Sequence, residues 1–378
     1  DVYKRQLKKR DDKMDIKKIR EETLNYKEEM TPGERSQKYA SEERVDHLPY
    51  TLHMPDMAVG KYLGYKVTDL DDFEVFKEVK DYLRDVLGLG SNINHRLSLR
   101  TMGYAMGSKK EEPDDGIDFI SERVLEDYED FDKLLGYDPW ENPVTGPLLE
   151  KGKEIREKMP DYTMSTGVVC PLSTAVAIRP IEKILKDTRK HPQDLHRLLD
   201  LCVDYNLKFV QAFTDEFGKA SASISAPLMS TDILNQGQEE EYGLRYLEKL
   251  VDGLYEITGK KPSLHICGHS KGIWDRLKEL NISSFSVDNC EDLEELKKAM
   301  GDTIHLVGNI PPVDVMRFGS PEDVVNTVKE CIEKAADSPS GYTLATGCQV
   351  PVGTPEDNLL AFVWAVREYS KGAKKGRG

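Results

Sequence analysis

Short runs in which apolar residues alternate with small or polar ones recur along this chain, and longer stretches with apolar positions three and four apart separate them. The first pattern predicts β-strands, because side chains two apart share a face, and the second predicts amphipathic helices. Strands are predicted at Leu48–His53, Leu97–Met102, Tyr162–Val168, Ser221–Pro227, Ser263–Cys267, Ser283–Val287, Ile304–Val307 and Tyr342–Thr346. Helices are predicted at Pro192–Phe217, Glu239–Thr258, Lys271–Leu280, Leu293–Met300, Pro321–Ala336 and Pro355–Tyr369. Thr31-Pro32-Gly33-Glu34-Arg35 reads as a helix start, with Thr31 as the cap and Pro32 in the first turn, and Ser320-Pro321-Glu322-Asp323 repeats that logic. Eight strands separated by helices imply a parallel sheet, and eight is the number that closes a (β/α)8 TIM barrel. The expected fold is therefore α/β, a TIM barrel with an N-terminal helical extension.

Residues 1–30 are dominated by charge and by Lys and Glu, so they are expected to form a helix or frayed extension ahead of a barrel spanning residues 31–378. Met14 and Met30 are the candidates for a natural start within it. Residues 103–150, rich in Asp, Glu, Gly and Pro, are expected to be an insertion or lid after the second strand. No internal repeat or low-complexity linker interrupts the rest of the chain.

Charge removes one class of partner. The 53 basic and 68 acidic residues leave a net charge of −15, which argues against nucleic acid, since phosphate binding needs a basic surface. No apolar run approaches the roughly 20 residues that span a bilayer, and the first ten residues are too charged for a secretory signal. Six cysteines, at 170, 202, 267, 290, 331 and 348, are scattered without a close-spaced framework. In a chain of this size that predicts reduced thiols and a cytoplasmic setting.

The candidate chemistry sits at predicted strand ends. In Leu264-His265-Ile266-Cys267-Gly268, His265 and Cys267 would point an imidazole and a thiolate to one face. Taken alone, a His-x-Cys pair is common by chance, and a buried cysteine is more often a packing residue than a ligand. The weight comes from position. His265 and Cys267 close the fifth predicted strand, Asp288 follows the sixth, Asn309 the seventh and Cys348 the eighth. Active sites of TIM barrels gather at these C-terminal strand ends. Two soft ligands from one strand and a third from a distant strand end, with one position left over, describe a catalytic rather than a structural zinc site. Cys290 is a weak substitute ligand, Cys170 a candidate pocket residue, and Cys202 and Cys331 packing residues; His269 and His305 fall outside the expected ligand set.

At these residues the chain resembles the uroporphyrinogen decarboxylase superfamily, and within it the zinc-dependent methylcobamide methyltransferases. The likeness runs from Met30 to about Gly372. It rests on Thr31-Pro32-Gly33-Glu34-Arg35, Arg44-Val45-Asp46-His47-Leu48-Pro49, the His265-Ile266-Cys267 segment, Gly308-Asn309-Ile310, and Gly347-Cys348 followed by Thr354-Pro355-Glu356-Asp357-Asn358. The His-x-Cys with a distant cysteine marks the zinc branch. The resemblance implies a Zn2+ held by His265, Cys267 and Cys348, with Asp288 as a displaceable fourth ligand and catalytic carboxylate, and Asn309 as a substrate-binding residue. It implies methyl transfer between a methylcobamide and a small-molecule acceptor or donor, a thiol or a folate-type amine. The chain has no Asp-x-His-x-x-Gly corrinoid anchor, so a separate corrinoid protein is the expected partner.

Two other readings stand beside this one. Uroporphyrinogen decarboxylase shares the resemblance, but its arginine-rich signature after the first strand is replaced here by Leu52-His53-Met54-Pro55-Asp56-Met57-Ala58. A pocket for a polycarboxylate without guanidiniums would leave buried charges unpaired. The remaining reading is a non-catalytic barrel whose cysteines only pack.

Overall fold

The computed structural model describes residues 15–112 and 118–377. In chain order its strands are β1 (Tyr50–Thr51), β2 (Asn92–Arg96), β3 (Lys109–Glu111), β4 (Phe119–Glu122), β5 (Thr163–Val169), β6 (Ala222–Ala226), β7 (Ser263–Ile266), β8 (Ser284–Val287), β9 (His305–Ile310) and β10 (Tyr342–Thr346). Among the described residues eight of these pair in parallel, with helices in the connections, and only β3 and β4 form an antiparallel hairpin. That alternation is the α/β architecture of the (β/α)8 class.

Contacts gather the chain into two compact units. The first comprises residues 1–90, 310–337 and 342–378. In it β1 pairs with β10, Tyr50 opposite Leu344 and Thr51 opposite Ala345. The part of the N-terminal extension that is described, Ile16–Leu24, is a helix capped by Asp15 and docked on the helix Glu356–Tyr369. Arg20 pairs with Glu356 and Asp357 on that helix, and Ile19 and Thr23 are buried. Residues 1–14 lie outside the described residues. The helix Pro32–Ala40 begins as its sequence predicts, with Thr31 and Glu34 forming a reciprocal capping box.

The second unit comprises residues 91–309 and 338–341. Its six parallel strands pair in the sequence β2, β5, β6, β7, β8, β9. Registered partners in a parallel sheet share a face, so the pairing sorts the residues into two layers. One face carries Ile224, Leu264, Ile266, Phe285, Val287 and Leu306, all at most 1% exposed. Burying each such side chain contributes about 1.5–3 kcal/mol, so this face anchors the strands. The opposite face is small and polar. Ser223, Ser263 and Ser284 lie in one row, and Ser225, His265 and Ser286 in the next.

The structure corrects several predicted boundaries. The second strand is Asn92–Arg96, not Leu97–Met102. Residues Leu99–Ala105 are instead a helix, because Ser98 caps it by accepting from the Thr101 N–H. The true strand was hidden by its exposed polar positions Asn92, Asn94 and Arg96, which hydrophobic patterning discounts. The first strand shrinks from Leu48–His53 to Tyr50–Thr51. The predicted lid at 103–150 contains the β3–β4 hairpin, a short 3-10 turn at Tyr128–Leu134 and the start of the helix Thr145–Lys158. Residues 113–117 of its acidic run fall outside the described residues. The predicted helix Lys271–Leu280 is reduced to a 3-10 turn, Lys271–Ile273, and one α-helical turn, Trp274–Leu277.

Candidate metal centre

His265 occupies the polar face of β7, between Ser225 on one neighbouring strand and Ser286 on the other. Its ring is held at both nitrogens. Nδ1 lies 3.2 Å from the Ser286 carbonyl oxygen and 3.0 Å from the Ser286 hydroxyl. A carbonyl can only accept, so Nδ1 carries the proton and donates. That leaves the Nε2 lone pair, and Nε2 lies 3.2 Å from Cys267 Sγ. A backbone carbonyl on the far nitrogen is the arrangement that orients metal-binding imidazoles and fixes their tautomer.

Cys267 follows directly on β7, and the chain then turns sharply. Gly268 adopts φ +75°, the left-handed region, and a Cβ there would meet the Ser230 hydroxyl at 2.9 Å. Glycine is required on both counts. The turn is bound from three sides. The Gly268 N–H donates to Asp288 Oδ2 at 3.0 Å. The Thr231 N–H donates to the His269 carbonyl. The N–H groups of Ser270 and Lys271 donate to Glu291 Oε1 at 2.5 and 2.8 Å.

Asp288, the expected fourth ligand, therefore has work of its own. Besides Gly268 it accepts the Cys290 N–H at 3.2 Å, so each carboxylate oxygen holds a backbone donor. Its oxygens do not join His265 and Cys267 in a cluster of ligand atoms within 4.8 Å. The side chain is short, and ligation would require giving up the Gly268 N–H. Asn309, the expected substrate-binding residue, is buried. Its amide donates to the carbonyls of Asp288 at 3.2 Å and Glu291 at 2.9 Å, so it braces the turn that carries Asp288. Cys348 lies in the first unit, two residues past the end of β10, and is half-buried.

Three of the other four cysteines are poor thiolates. Burial pushes the Cys170 thiol up to about 12, and Cys170 lies fully inside the protein instead of lining a pocket. Burial also raises Cys202 strongly. Cys290 is pushed up to about 12 by partial burial and by the carboxylates of Asp288 and Glu291. Cys331 is a buried helix residue. His269 is mostly exposed, and His305 opens β9 at its N-terminal end.

Two residues escaped sequence reasoning. Ser286 was visible as a polar position on an alternating strand, but nothing marked it as the partner of His265. Glu291 read as part of an acidic helix start, and only its burial identifies it as an anchor for the turn.

The donor set at β7 suits zinc: an imidazole whose Nε2 faces a thiol sulfur, and a turn tied by hydrogen bonds behind it.

The uroporphyrinogen decarboxylase (URO-D) family model matches residues 31–369. The methylcobamide:CoM methyltransferase MtbA of Methanosarcina acetivorans is 26% identical over 353 residues, covering 90% of this chain and 99% of that protein. The chloroplastic uroporphyrinogen decarboxylase 2 of Oryza sativa subsp. japonica is 29% identical over 192 residues, but covers 51% of this chain and 46% of that protein. Among solved structures, a methyltransferase from Methanosarcina mazei matches with a TM-score of 0.74 at 21% identity, covering 90% of this chain and 99% of the other. That last likeness is one of fold.

Proposed function

This chain belongs to the uroporphyrinogen decarboxylase family and is an enzyme, and from that premise we propose that it is a methyltransferase, moving a methyl group between a corrinoid carried by a separate protein and a thiol. In this reading His265, Cys267 and Cys348 hold a zinc ion. The observation that carries it is the His265 ring, with Nδ1 tied to Ser286 and Nε2 turned 3.2 Å from Cys267 Sγ. A structural histidine has no need to present its lone pair to a half-buried thiol.

Zinc, when bound, would hold an incoming thiol as its thiolate at neutral pH. The protein's own groups have distinct tasks around it. Ser286 fixes the imidazole. Gly268, Ser230, Glu291 and Asn309 keep the turn after Cys267 in one shape. Asp288 holds the Gly268 N–H, and serves as a fourth, displaceable ligand only when it releases that donor. The relative that spans 90% of the chain carries a methylcobamide:CoM methyltransferase name, which supports a corrinoid methyl source and a thiol acceptor. All six cysteines are free, and no described helix is long and apolar enough to cross a membrane, in keeping with work in a reducing cytoplasm.

Decarboxylation of uroporphyrinogen is the second reading, favoured by the family's name and by relatives that match half the chain. Against it, residues 52–58 contain no arginine and lead into the helix Asp56–Tyr62. The test sets the two side by side. Zinc-loaded protein is expected to demethylate free methylcobalamin in the presence of a thiol, followed by the corrinoid spectrum and by the methylated thiol. Release of carbon dioxide from uroporphyrinogen, independent of zinc and without any methyl transfer, would replace this reading with the other.

A further inference from the structure

Glu239 is fully buried, and neither of its carboxylate oxygens has a hydrogen-bond partner among the described residues. Such an acid is tolerated while neutral, because an ionised carboxylate without partners is costly to hold away from water. It opens the π-helical turn Glu239–Leu244, a local break in helical register of a kind frequent at functional sites.

The surrounding elements offer no compensating charge. The helix Pro171–Ile178, which packs on this turn, has no ionisable residue, and the Cys170 thiol just before it is buried. On the turn itself Glu240 pairs with Arg276, Glu241 with His196, and the Tyr242 hydroxyl donates to the Thr188 carbonyl. Gln238, just before it, donates its amide to the Thr188 hydroxyl. On the following helix, Arg245–Thr258, Arg245 lies over the Tyr246 ring, Lys249 pairs with Asp200 and Glu248 is exposed.

A short path of contacts leads from Glu239 to the candidate metal centre, all within one compact unit. Gly243 lies one turn further on. A Cβ there would sit 2.7 Å from Met229 Sδ and 3.8 Å from Glu239 Cγ, so the buried Met229 and the stem of Glu239 both pack against this glycine. Met229 begins the loop that clasps the turn after Cys267. The hydroxyl of Ser230 is the group that leaves no room for a side chain at Gly268. Thr231 donates its N–H and its hydroxyl to the His269 carbonyl, at 2.9 and 3.2 Å. Asp232 accepts the Ser230 hydroxyl at 2.8 Å and the His269 N–H at 3.5 Å.

We infer that Glu239 is a positioning residue whose charge state controls this clasp: neutral, it keeps Met229 and the Ser230–Asp232 loop seated on Gly268 and His269, and on ionising it releases them. The inference goes beyond methyl transfer and holds whichever reaction the site performs. An ionised Glu239 must draw in water, and the nearest material to give way is the unbranched, adaptable side chain of Met229. Burial raises the acid from its ordinary 4.5 to about 7 in the folded protein. The closed clasp is therefore favoured at low pH and loosens as pH rises through about 7.

The test is hydrogen–deuterium exchange of the full chain between pH 5 and 8, comparing wild type with Glu239→Gln at each pH. The intrinsic pH dependence of exchange cancels in that ratio, and so does titration of Asp232 and His269, which both proteins share. Relative exchange in segments 228–233 and 266–271 is expected to rise about tenfold or more in the wild type over this range. The strands Thr163–Val169 and Ser284–Val287 should show no such rise. Met229→Ala should keep the rise in segment 236–244 and remove it from 266–271, because the link is cut. A flat ratio in segments 228–233 and 266–271, or a rise shared equally by the strands, would overturn the inference and leave Glu239 with an effect on global stability alone. Because the readout needs neither zinc nor a methyl donor, its failure leaves the methyl-transfer reading untouched.

Discussion

The imidazole of His265 and the backbone of Ser286 are joined across neighbouring strands, with Nδ1 3.2 Å from the carbonyl oxygen and 3.0 Å from the hydroxyl of the same residue. Registered pairing of His265 with Ser286 makes this contact possible, so the orientation of a candidate ligand is set by the sheet itself. Replacing Ser286 by alanine removes the hydroxyl and keeps the carbonyl. Zinc affinity should fall by up to about tenfold, the low end of the effect seen for outer partners of metal-binding histidines. Competition with a chromophoric chelator measures it. An unchanged affinity would mean the carbonyl alone fixes the ring.

Asp288 separates two roles that its sequence position confuses. If it chiefly holds the N–H groups of Gly268 and Cys290, Asp288→Asn should bind zinc nearly as wild type does, because an amide oxygen can still accept one donor. Asp288→Ala should lose about 1 kcal/mol of stability as the half-buried Gly268 N–H and the exposed Cys290 N–H lose their acceptor, read from denaturant unfolding. If Asp288→Asn loses zinc as completely as His265→Ala, direct ligation is its main task.

Much of this arrangement was legible in the residues. His265, Cys267, Asp288 and Asn309 do come together at the ends of β7, β8 and β9, because alternation in Ser263–Ile266 and Ser284–Val287 is strong enough to fix both strand and face. The failures share a cause. Patterning finds strands by their buried apolar side, and β2 offers only Ile93 and His95 there, so the strand was placed too late. Glu291 and Ser286 act through hydrogen bonds to residues 18–21 positions away, which no local pattern encodes.

Glu239 makes stability depend on pH. It opens the π-helical turn Glu239–Leu244, it is fully buried, and neither carboxylate oxygen has a hydrogen-bond partner among the described residues. Burial alone pushes its carboxyl up to about 7. The folded state therefore holds this proton more tightly than the unfolded chain does. Its contribution is complete below about pH 4.5 and is lost as pH rises through about 7. Between pH 5 and 8 the wild type should lose on the order of 3 kcal/mol from this group. Glu239→Gln should flatten that slope and be the more stable protein at pH 8, as followed by Tm. A variant with the wild-type slope would show that the carboxyl finds a partner.

The motifs Thr31–Arg35 and Arg44–Pro49, which carry part of the family likeness, are structural. Arg35 is buried, and it donates to both oxygens of Asp46 at 2.7 Å and pairs with Glu28. Arg367 reaches the other Glu28 oxygen at 2.6 Å. Removing one member of such a buried network strands the rest, so Arg35→Met should cost about 3–5 kcal/mol in unfolding free energy. Zinc content per folded chain should stay at the wild-type level, which distinguishes a scaffold role from one in the site.

The most direct test of the central claim is elemental analysis of the freshly purified full chain beside its Cys267→Ser, His265→Ala, Cys348→Ser and Cys331→Ser variants. About one zinc per chain is expected in the wild type and in Cys331→Ser, with strong depletion in the other three. Full zinc retention by Cys267→Ser, or a wild-type protein that binds no zinc when supplied with it, would contradict the account.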